Sequence, residues 1–237
     1  MKRVIVFDLG GTLMEYEGMP HSWISYYEDC FNAVNSKYSL KLTGDDIHRS
    51  VEVLKEYNPR YHPREIEYPP KFLFQEATTH WNTNIALQDI IAAFFSEMKL
   101  AAKIYDDTAL VVTKLKENGA KVAALTNLPS SMPDSLFKAD IPQILEMLDL
   151  YVSSEICGYR KPNKAGLEYI AKHFDVSAKD LIFVGDEKLD IETAQNVDCM
   201  SVLICRNGEP KNYGQDYTIR NLFEIKDVLC QSSLLCV

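Results

Sequence analysis

The 237-residue chain, with 46% hydrophobic side chains, is long enough to bury a substantial core, either as one large domain or as a core carrying a smaller insert. Its 25 basic against 34 acidic residues give a formal charge of −9, which argues against electrostatic capture of nucleic acid or of an anionic membrane while leaving room for a small anion held by local positive charge. The six cysteines (Cys30, Cys157, Cys199, Cys205, Cys230, Cys236) contain no C-x-x-C pair, so neither a zinc site nor a disulfide framework is signalled, and reduced thiols in a cytoplasm fit best.

At the start of the chain, Met1-Lys2-Arg3 is followed by only four apolar residues before Asp8, too short for a signal-peptide core. The expectation is therefore a cytoplasmic protein, and no later apolar run is long enough to span a bilayer. Those four residues, Val4-Ile5-Val6-Phe7, read as a buried strand inside the run 3–9, and they deliver the carboxylate of Asp8 to a glycine-containing turn. From Glu15 to Lys103 the pattern is helical with no convincing strand. Trp23, Tyr26, Tyr27, Cys30, Phe31 and Val34 space as one apolar face. Thr43-x-x-Asp46 resembles a capping box opening a helix with Ile47, Val51 and Leu54 inward, and further helix is predicted over 71–81 and 85–99. Core packing accounts for these aromatics without any functional role.

Past that interval, β-rich runs at 121–126, 150–153, 181–185 and 201–205 alternate with helical patterns at 108–118, where Gly119 marks the stop, and at 163–174 and 188–196. Strands alternating with helices predict a Rossmann-like parallel sheet flanked by helices on both faces, an α/β core formed by residues 1–14 and 104–237. Residues 15–103 are expected to form an all-helical insert between its first two strands. In such sheets ligands bind beyond the carboxyl ends of the strands.

Taken in turn, those strand ends carry Asp8, then Thr126-Asn127, then Lys161 after a short loop, then Gly185-Asp186 with Asp190 four residues on. Each alone has a local explanation: Asp186 as a helix cap, Asp190 as a solvated helix carboxylate, Thr126 and Asn127 as turn residues, Lys161 as a surface lysine. Together they supply an attacking carboxylate, a hydroxyl, an amide donor, one cation and one or two further carboxylates, the parts needed to bind a metal and a phosphoryl group at one edge.

The ordered set D-x-G-G-T-L, L-T-N, R-K-P and G-D-x-x-x-D resembles the haloacid dehalogenase-like (HAD) hydrolase superfamily, and the helical insert looks like that family's C1-type cap. The resemblance covers nearly the whole chain, including Tyr105-Asp106-Asp107-Thr108 leading back into the core. It implies that Asp8 is the nucleophile that takes up a phosphoryl group, and that Mg²⁺ is held by Asp8, the backbone carbonyl of Gly10 and Asp186. It further implies that Asp190 orients Lys161 or a water, and that Gly11, Thr126, Asn127 and Lys161 hold the phosphate of a small phosphorylated substrate.

Gly10 departs from the D-x-D pattern of the family's phosphatases, whose second Asp protonates the leaving alkoxide and later activates water. Loss of general acid–base help forfeits about two to four orders of magnitude in rate. The open readings are a slow phosphatase, an enzyme for good leaving groups, a non-catalytic phosphate- or metabolite-binding protein on the same fold, and a phosphonatase- or dehalogenase-type hydrolase. The dehalogenase branch usually lacks the metal pair seen here, and a phosphonatase would need a cap lysine, for which Lys37, Lys41, Lys55 and Lys71 are undistinguished candidates. Replacements for the missing acid close in sequence are Glu15, Glu17, His21 and Glu187. The insert also contains Asn58-Pro59-Arg60-Tyr61-His62-Pro63-Arg64-Glu65, a loop whose two arginines could meet a substrate anion, although a charged solvated loop is the better explanation and no role is assigned to it.

Overall fold

The structure, a computed structural model, describes residues 3–20 and 22–231. Met1, Lys2, His21 and Cys236, which entered the sequence reading, lie outside the described residues.

In chain order the elements are β1 (Val4–Phe7), β2 (Met14–Tyr16), α1 (Tyr27–Tyr38), α2 (Gly44–Glu56), α3 (Pro70–Thr78), α4 (Leu87–Glu97), β3 (Ala102–Ile104), α5 (Thr108–Glu117), β4 (Lys121–Thr126), α6 (Asp134–Asp140), α7 (Pro142–Met147), β5 (Leu150–Ser153), α8 (Ser154–Cys157), α9 (Ala165–Phe174), β6 (Leu181–Gly185), α10 (Lys188–Gln195), β7 (Met200–Ile204), β8 (Tyr217–Ile219) and α11 (Ile225–Gln231). No helix among the described residues is long and apolar enough to cross a membrane.

The chain divides into two compact units, one of residues 1–15, 102–127 and 141–237, the other of residues 16–101 and 128–140. The first unit is built on a six-stranded sheet in the order β5-β4-β1-β6-β7-β8, whose strand pairs are all parallel. This is the Rossmann-like α/β architecture that the strand–helix alternation predicts. β1 sits at the centre because its four residues are all apolar and buried, as a strand covered on both faces must be. Val4 and Val6 face a cluster with Leu125, Leu167, Ile170 and Phe183, so α9 covers that side of β1, β4 and β6. The register aligns Phe7 with Ala124 on one side and Val184 on the other, and Asp8 N–H donates to Val184 O at 2.8 Å. The strands therefore end within two residues of one another, β4 running to Thr126 and β6 to Gly185.

The second unit is dominated by helices. On α1, Tyr27, Cys30, Phe31 and Val34 are buried, and the Phe31 ring packs edge-on against Phe74, Trp81 and Phe94. The Thr43–Asp46 capping box is formed: Asp46 N–H donates to Thr43 Oγ1 at 3.2 Å and Thr43 N–H to Asp46 Oδ2 at 2.9 Å. Buried Ser50 links two helices, accepting from Trp81 Nε1 at 3.0 Å and donating to Ala77 O at 2.7 Å.

Three features differ from the sequence expectation. The interval expected to hold no strand is bounded by β2 and β3, which pair with each other where the chain passes between units; three residues are too few to display a periodicity. β8, equally short, closes one edge of the main sheet. Residues 128–140, with α6, count with the helical unit although they follow a core strand.

Candidate active site

The turn after β1 winds around one carbonyl: Leu9 O accepts from the N–H groups of Thr12, Leu13 and Met14 at 3.2, 2.8 and 3.0 Å. Gly11 has φ +77°, a conformation that costs other residues strain, and a Cβ there would collide with the Asp186 carboxylate. Its N–H donates to Met14 O at 2.7 Å, so what Gly11 contributes is the missing side chain that lets Asp186 approach. Gly10 is exposed, has no positive φ, and leaves nothing within 4 Å of a Cβ built on it.

Asp8 projects from the end of β1 and is 5% exposed. Lys161 Nζ donates to Asp8 Oδ1 at 2.6 Å and to Asp190 Oδ1 at 2.5 Å, with Lys161 itself 7% exposed. Asp190 has a second engagement: its Oδ2 accepts from Glu187 N–H at 2.8 Å, while the Glu187 side chain caps α10 reciprocally. One carboxylate thus ties the start of α10 to the ammonium. Gly185 permits this closeness, because a Cβ there would overlap the Asp190 carboxyl group. The Lys161 backbone is fixed from β4, its N–H donating to Asn127 Oδ1 at 2.8 Å while Asn127 Nδ2 donates to Lys161 O at 3.3 Å. Thr126, the last residue of β4, is 4% exposed.

Asp186 does not cap α10; Glu187 takes that place. Its Oδ1 is buried without a hydrogen-bond partner. Asp8, Asp186 and Asp190 each offer an oxygen, and these atoms lie within 4.8 Å of one another. Three carboxylates thus converge around a single ammonium. Burial pushes Asp186 up to about 9, with the Asp8 and Asp190 charges adding to the rise. Burial likewise raises Asp8 to about 7, against the pull of Lys161. For Lys161 burial opposes the charged form, yet Asp190 and Asp8 outweigh it and keep the ammonium protonated. An orphaned buried carboxylate oxygen in an under-neutralised cluster of hard oxygen donors suits a small divalent cation such as Mg²⁺.

The structure therefore brings Asp8, Lys161, Asp186 and Asp190 together, with Gly10, Gly11, Thr126 and Asn127 on the two strand ends that frame them. Other candidates are occupied elsewhere. Glu15 accepts from Tyr105 OH at 3.1 Å and lies 3.8 Å from Lys103. Glu187 is the α10 cap, and Glu17 is exposed. In the 58–65 loop, Arg64 Nη1 donates to Tyr57 O at 2.6 Å and the guanidinium lies 4.9 Å from the Tyr68 ring centroid, so this arginine serves its own unit. Lys55 pairs with Glu52 at 2.6 Å.

Arg206 belongs to none of the sequence motifs. It grips Asp107 through two bonds of 2.9 and 3.0 Å, reaches Thr12 O at 2.6 Å, and lies 3.8 Å above the centroid of Tyr105. No motif marks an arginine two residues past a strand; the only sequence signal was its partner Asp107 in the 105–108 stretch.

The chain is 28% identical to the phosphoglycolate phosphatase of Aliivibrio fischeri over 130 residues, 51% of this chain and 54% of that relative. The phosphoglycolate phosphatase of Vibrio cholerae is 25% identical over 251 residues, covering 98% of both chains. The chain spans about half the length of several curated relatives that it matches. A HAD phosphatase from Thermococcus onnurineus shares the fold, with a TM-score of 0.66 at 20% identity over 97% of this chain and 98% of that one. Residues 2–198 match the family of haloacid dehalogenase-like hydrolases, and it is to this family that the chain belongs.

Proposed function

We propose that the protein is a Mg²⁺-dependent phosphatase acting through Asp8 on a small phosphorylated metabolite in the cytoplasm, with residues 15–103 as a C1-type cap and neither nucleic acid nor membrane as partner. The observation that carries this reading is the orphaned, buried Asp186 Oδ1 beside Asp8, which is bridged through Lys161 to Asp190. Asp8, Asp186 and the Gly10 carbonyl would hold Mg²⁺, which supplies charge neutralisation for the carboxylates and the transferring oxygens when bound.

In the first half-reaction an Asp8 carboxylate oxygen attacks phosphorus and the bond from phosphorus to the leaving oxygen breaks, its electron pair departing with that oxygen. The Asp8 acyl phosphate then yields to water, which releases inorganic phosphate and regenerates the carboxylate. Lys161 holds Asp8 and balances the transferring oxygens' charge, Asp190 keeps the ammonium aimed, and Thr126, Asn127 and Gly11 frame the phosphate at the strand ends.

Position 10 has no side chain to protonate the leaving oxygen. Leaving groups that depart without a proton, aryl and acyl phosphates, are therefore favoured over alkyl phosphates. Because the curated relatives are named for phosphoglycolate, that alkyl phosphate belongs in the test panel. The deciding measurement is phosphate release from p-nitrophenyl phosphate, acetyl phosphate and phosphoglycolate with Mg²⁺ or EDTA, by wild type and Asp8→Asn. Mg²⁺-dependent turnover abolished by the substitution supports the reading. Gly10 also favours a second one, a non-catalytic phosphate- or metabolite-binding protein on the same fold. It takes over if the panel is silent while wild type binds a phosphorylated compound.

A further inference from the structure

The turn that carries Asp8 and Gly10 is braced from its far side. Arg206, two residues past β7, sends Nη2 at 2.6 Å and Nε at 3.2 Å to Thr12 O, while Nη1 and Nη2 grip the Asp107 carboxylate at 3.0 and 2.9 Å. The guanidinium also stacks on the Tyr105 ring, and Asp107 Oδ2 accepts in addition from Leu222 N–H at 2.8 Å. The next carbonyl of the turn, Leu13 O, accepts from Thr108 Oγ1 at 2.8 Å and from Tyr105 N–H at 3.1 Å. Two adjacent carbonyls just past Gly10-Gly11 are thus pinned to the 105–108 segment, one of them through an arginine that comes from the opposite end of the sequence.

All of these groups lie in one unit, and the salt bridge is shielded from solvent, with side-chain exposures of 13% for Arg206 and 6% for Asp107. Only an arginine makes this junction, since its planar fork satisfies a carboxylate bidentately, reaches a carbonyl, and presents a face to an aromatic ring at once. A lysine would keep the charge and lose two of those three functions.

We propose that Arg206 is a positioning residue for the reacting turn: by fixing Thr12 O against Asp107 it holds the Gly10 carbonyl and Asp8 in the arrangement that binds Mg²⁺. The inference rests on the proposed function above. Arg206 touches none of the reacting atoms and acts through the backbone of the turn.

The test uses the 237-residue chain in four forms: wild type, Arg206→Lys, Asp107→Asn and, as a control, Asp216→Asn. Asp216 accepts from Ser201 N–H and Oγ at 2.8 Å each, a tie between β7 and the segment before β8 that does not involve the turn. Mg²⁺ affinity is read by titration calorimetry, backbone amide exchange by mass spectrometry on peptides spanning 9–14, and kcat and KM on p-nitrophenyl phosphate. Arg206→Lys is expected to raise the Mg²⁺ dissociation constant tenfold or more, on the scale seen for groups that orient metal ligands, to speed exchange over 9–14, and to lower kcat with little change in KM. Asp216→Asn should lower Tm without moving the Mg²⁺ affinity. If Arg206→Lys does not fold, Asp107→Asn must reproduce the same pattern. Unchanged Mg²⁺ affinity and exchange in a folded variant overturns the inference, as does an equal loss of affinity in the control. Exchange is also read in EDTA, so the brace is tested even if wild type neither binds Mg²⁺ nor turns over. That outcome sinks the proposed function, whereas faster exchange in Arg206→Lys would still uphold the brace.

Discussion

At the scale of single residues, the two neighbouring glycines of the first turn behave differently. Gly10 has open space where a Cβ would lie and no positive φ, so a side chain can start there without backbone strain. The expected outcome for Gly10→Asp is a folded protein whose turnover of an alkyl phosphate rises about tenfold or more, within the range that proton transfer supplies, while its aryl phosphate rate changes less. Steady-state phosphate release checks it; a folded variant with no gain on alkyl esters means that proton transfer to the leaving group does not limit the rate. Gly11 is the opposite case, with φ +77° and a Cβ position already occupied by the Asp186 carboxylate. Gly11→Ala should lose about 1–2 kcal/mol to backbone strain in urea unfolding. Because Asp186 must move, Mg²⁺ affinity should fall with it in calorimetry; intact affinity would detach Asp186 from the cation site.

At the scale of elements, α10 joins a structural device to a chemical one. Asp190 caps the helix with one oxygen and holds Lys161 with the other. Asp190→Asn keeps an acceptor for the cap and removes the charge, so kcat should drop about 10–100-fold, as is usual when a group that orients catalytic ligands is lost, with Tm nearly unchanged. A large fall in Tm with kcat intact would make Asp190 a cap alone. In the helical unit, the Phe31 ring of α1 stands 4.8 Å from that of Phe94 on α4 and 6.1 Å from that of Phe74 on α3, and is fully buried. Phe31→Ala should destabilise this unit by about 3–5 kcal/mol in urea denaturation. Less than 1 kcal/mol would mean that the three helices close around the gap.

At the scale of the whole molecule, the carboxylate cluster links stability to pH. Asp8 and Asp186 are raised to about 7 and about 9, so the folded state binds more protons than the unfolded chain above the ordinary carboxylate range. The sign follows: their contribution is fully present below about pH 4 and is lost as pH rises through those two values. In EDTA, Tm should therefore fall from pH 5 to pH 9, whereas Mg²⁺ should remove most of that fall by favouring the ionised carboxylates. Differential scanning calorimetry in the two buffers decides it; superimposable curves across this range would mean that no cation is held there.

The α/β class, the alternation of strand and helix, and the bounds of β4, β5 and β6 were legible in the sequence, because a sheet buried on both faces needs continuous apolar runs and its helices an amphipathic period. Asp8, Thr126, Asn127, Lys161, Asp186 and Asp190 could be picked out as candidates too, since each lies at the end of such a run or shortly after it and the carboxyl ends of parallel strands share one edge. The sequence alone also showed that position 10 carries no carboxylate. Only the tertiary structure decided that Asp190 both caps α10 and holds Lys161, that Asp186 keeps an unpartnered oxygen, and that Gly11 is required by the approach of a side chain 175 positions away. It alone turned Arg64 toward its own unit and brought Arg206 to Thr12. Periodicity reports which face of an element is buried; which polar atom meets which across the fold depends on register and packing between segments far apart in the chain, and no local pattern encodes that.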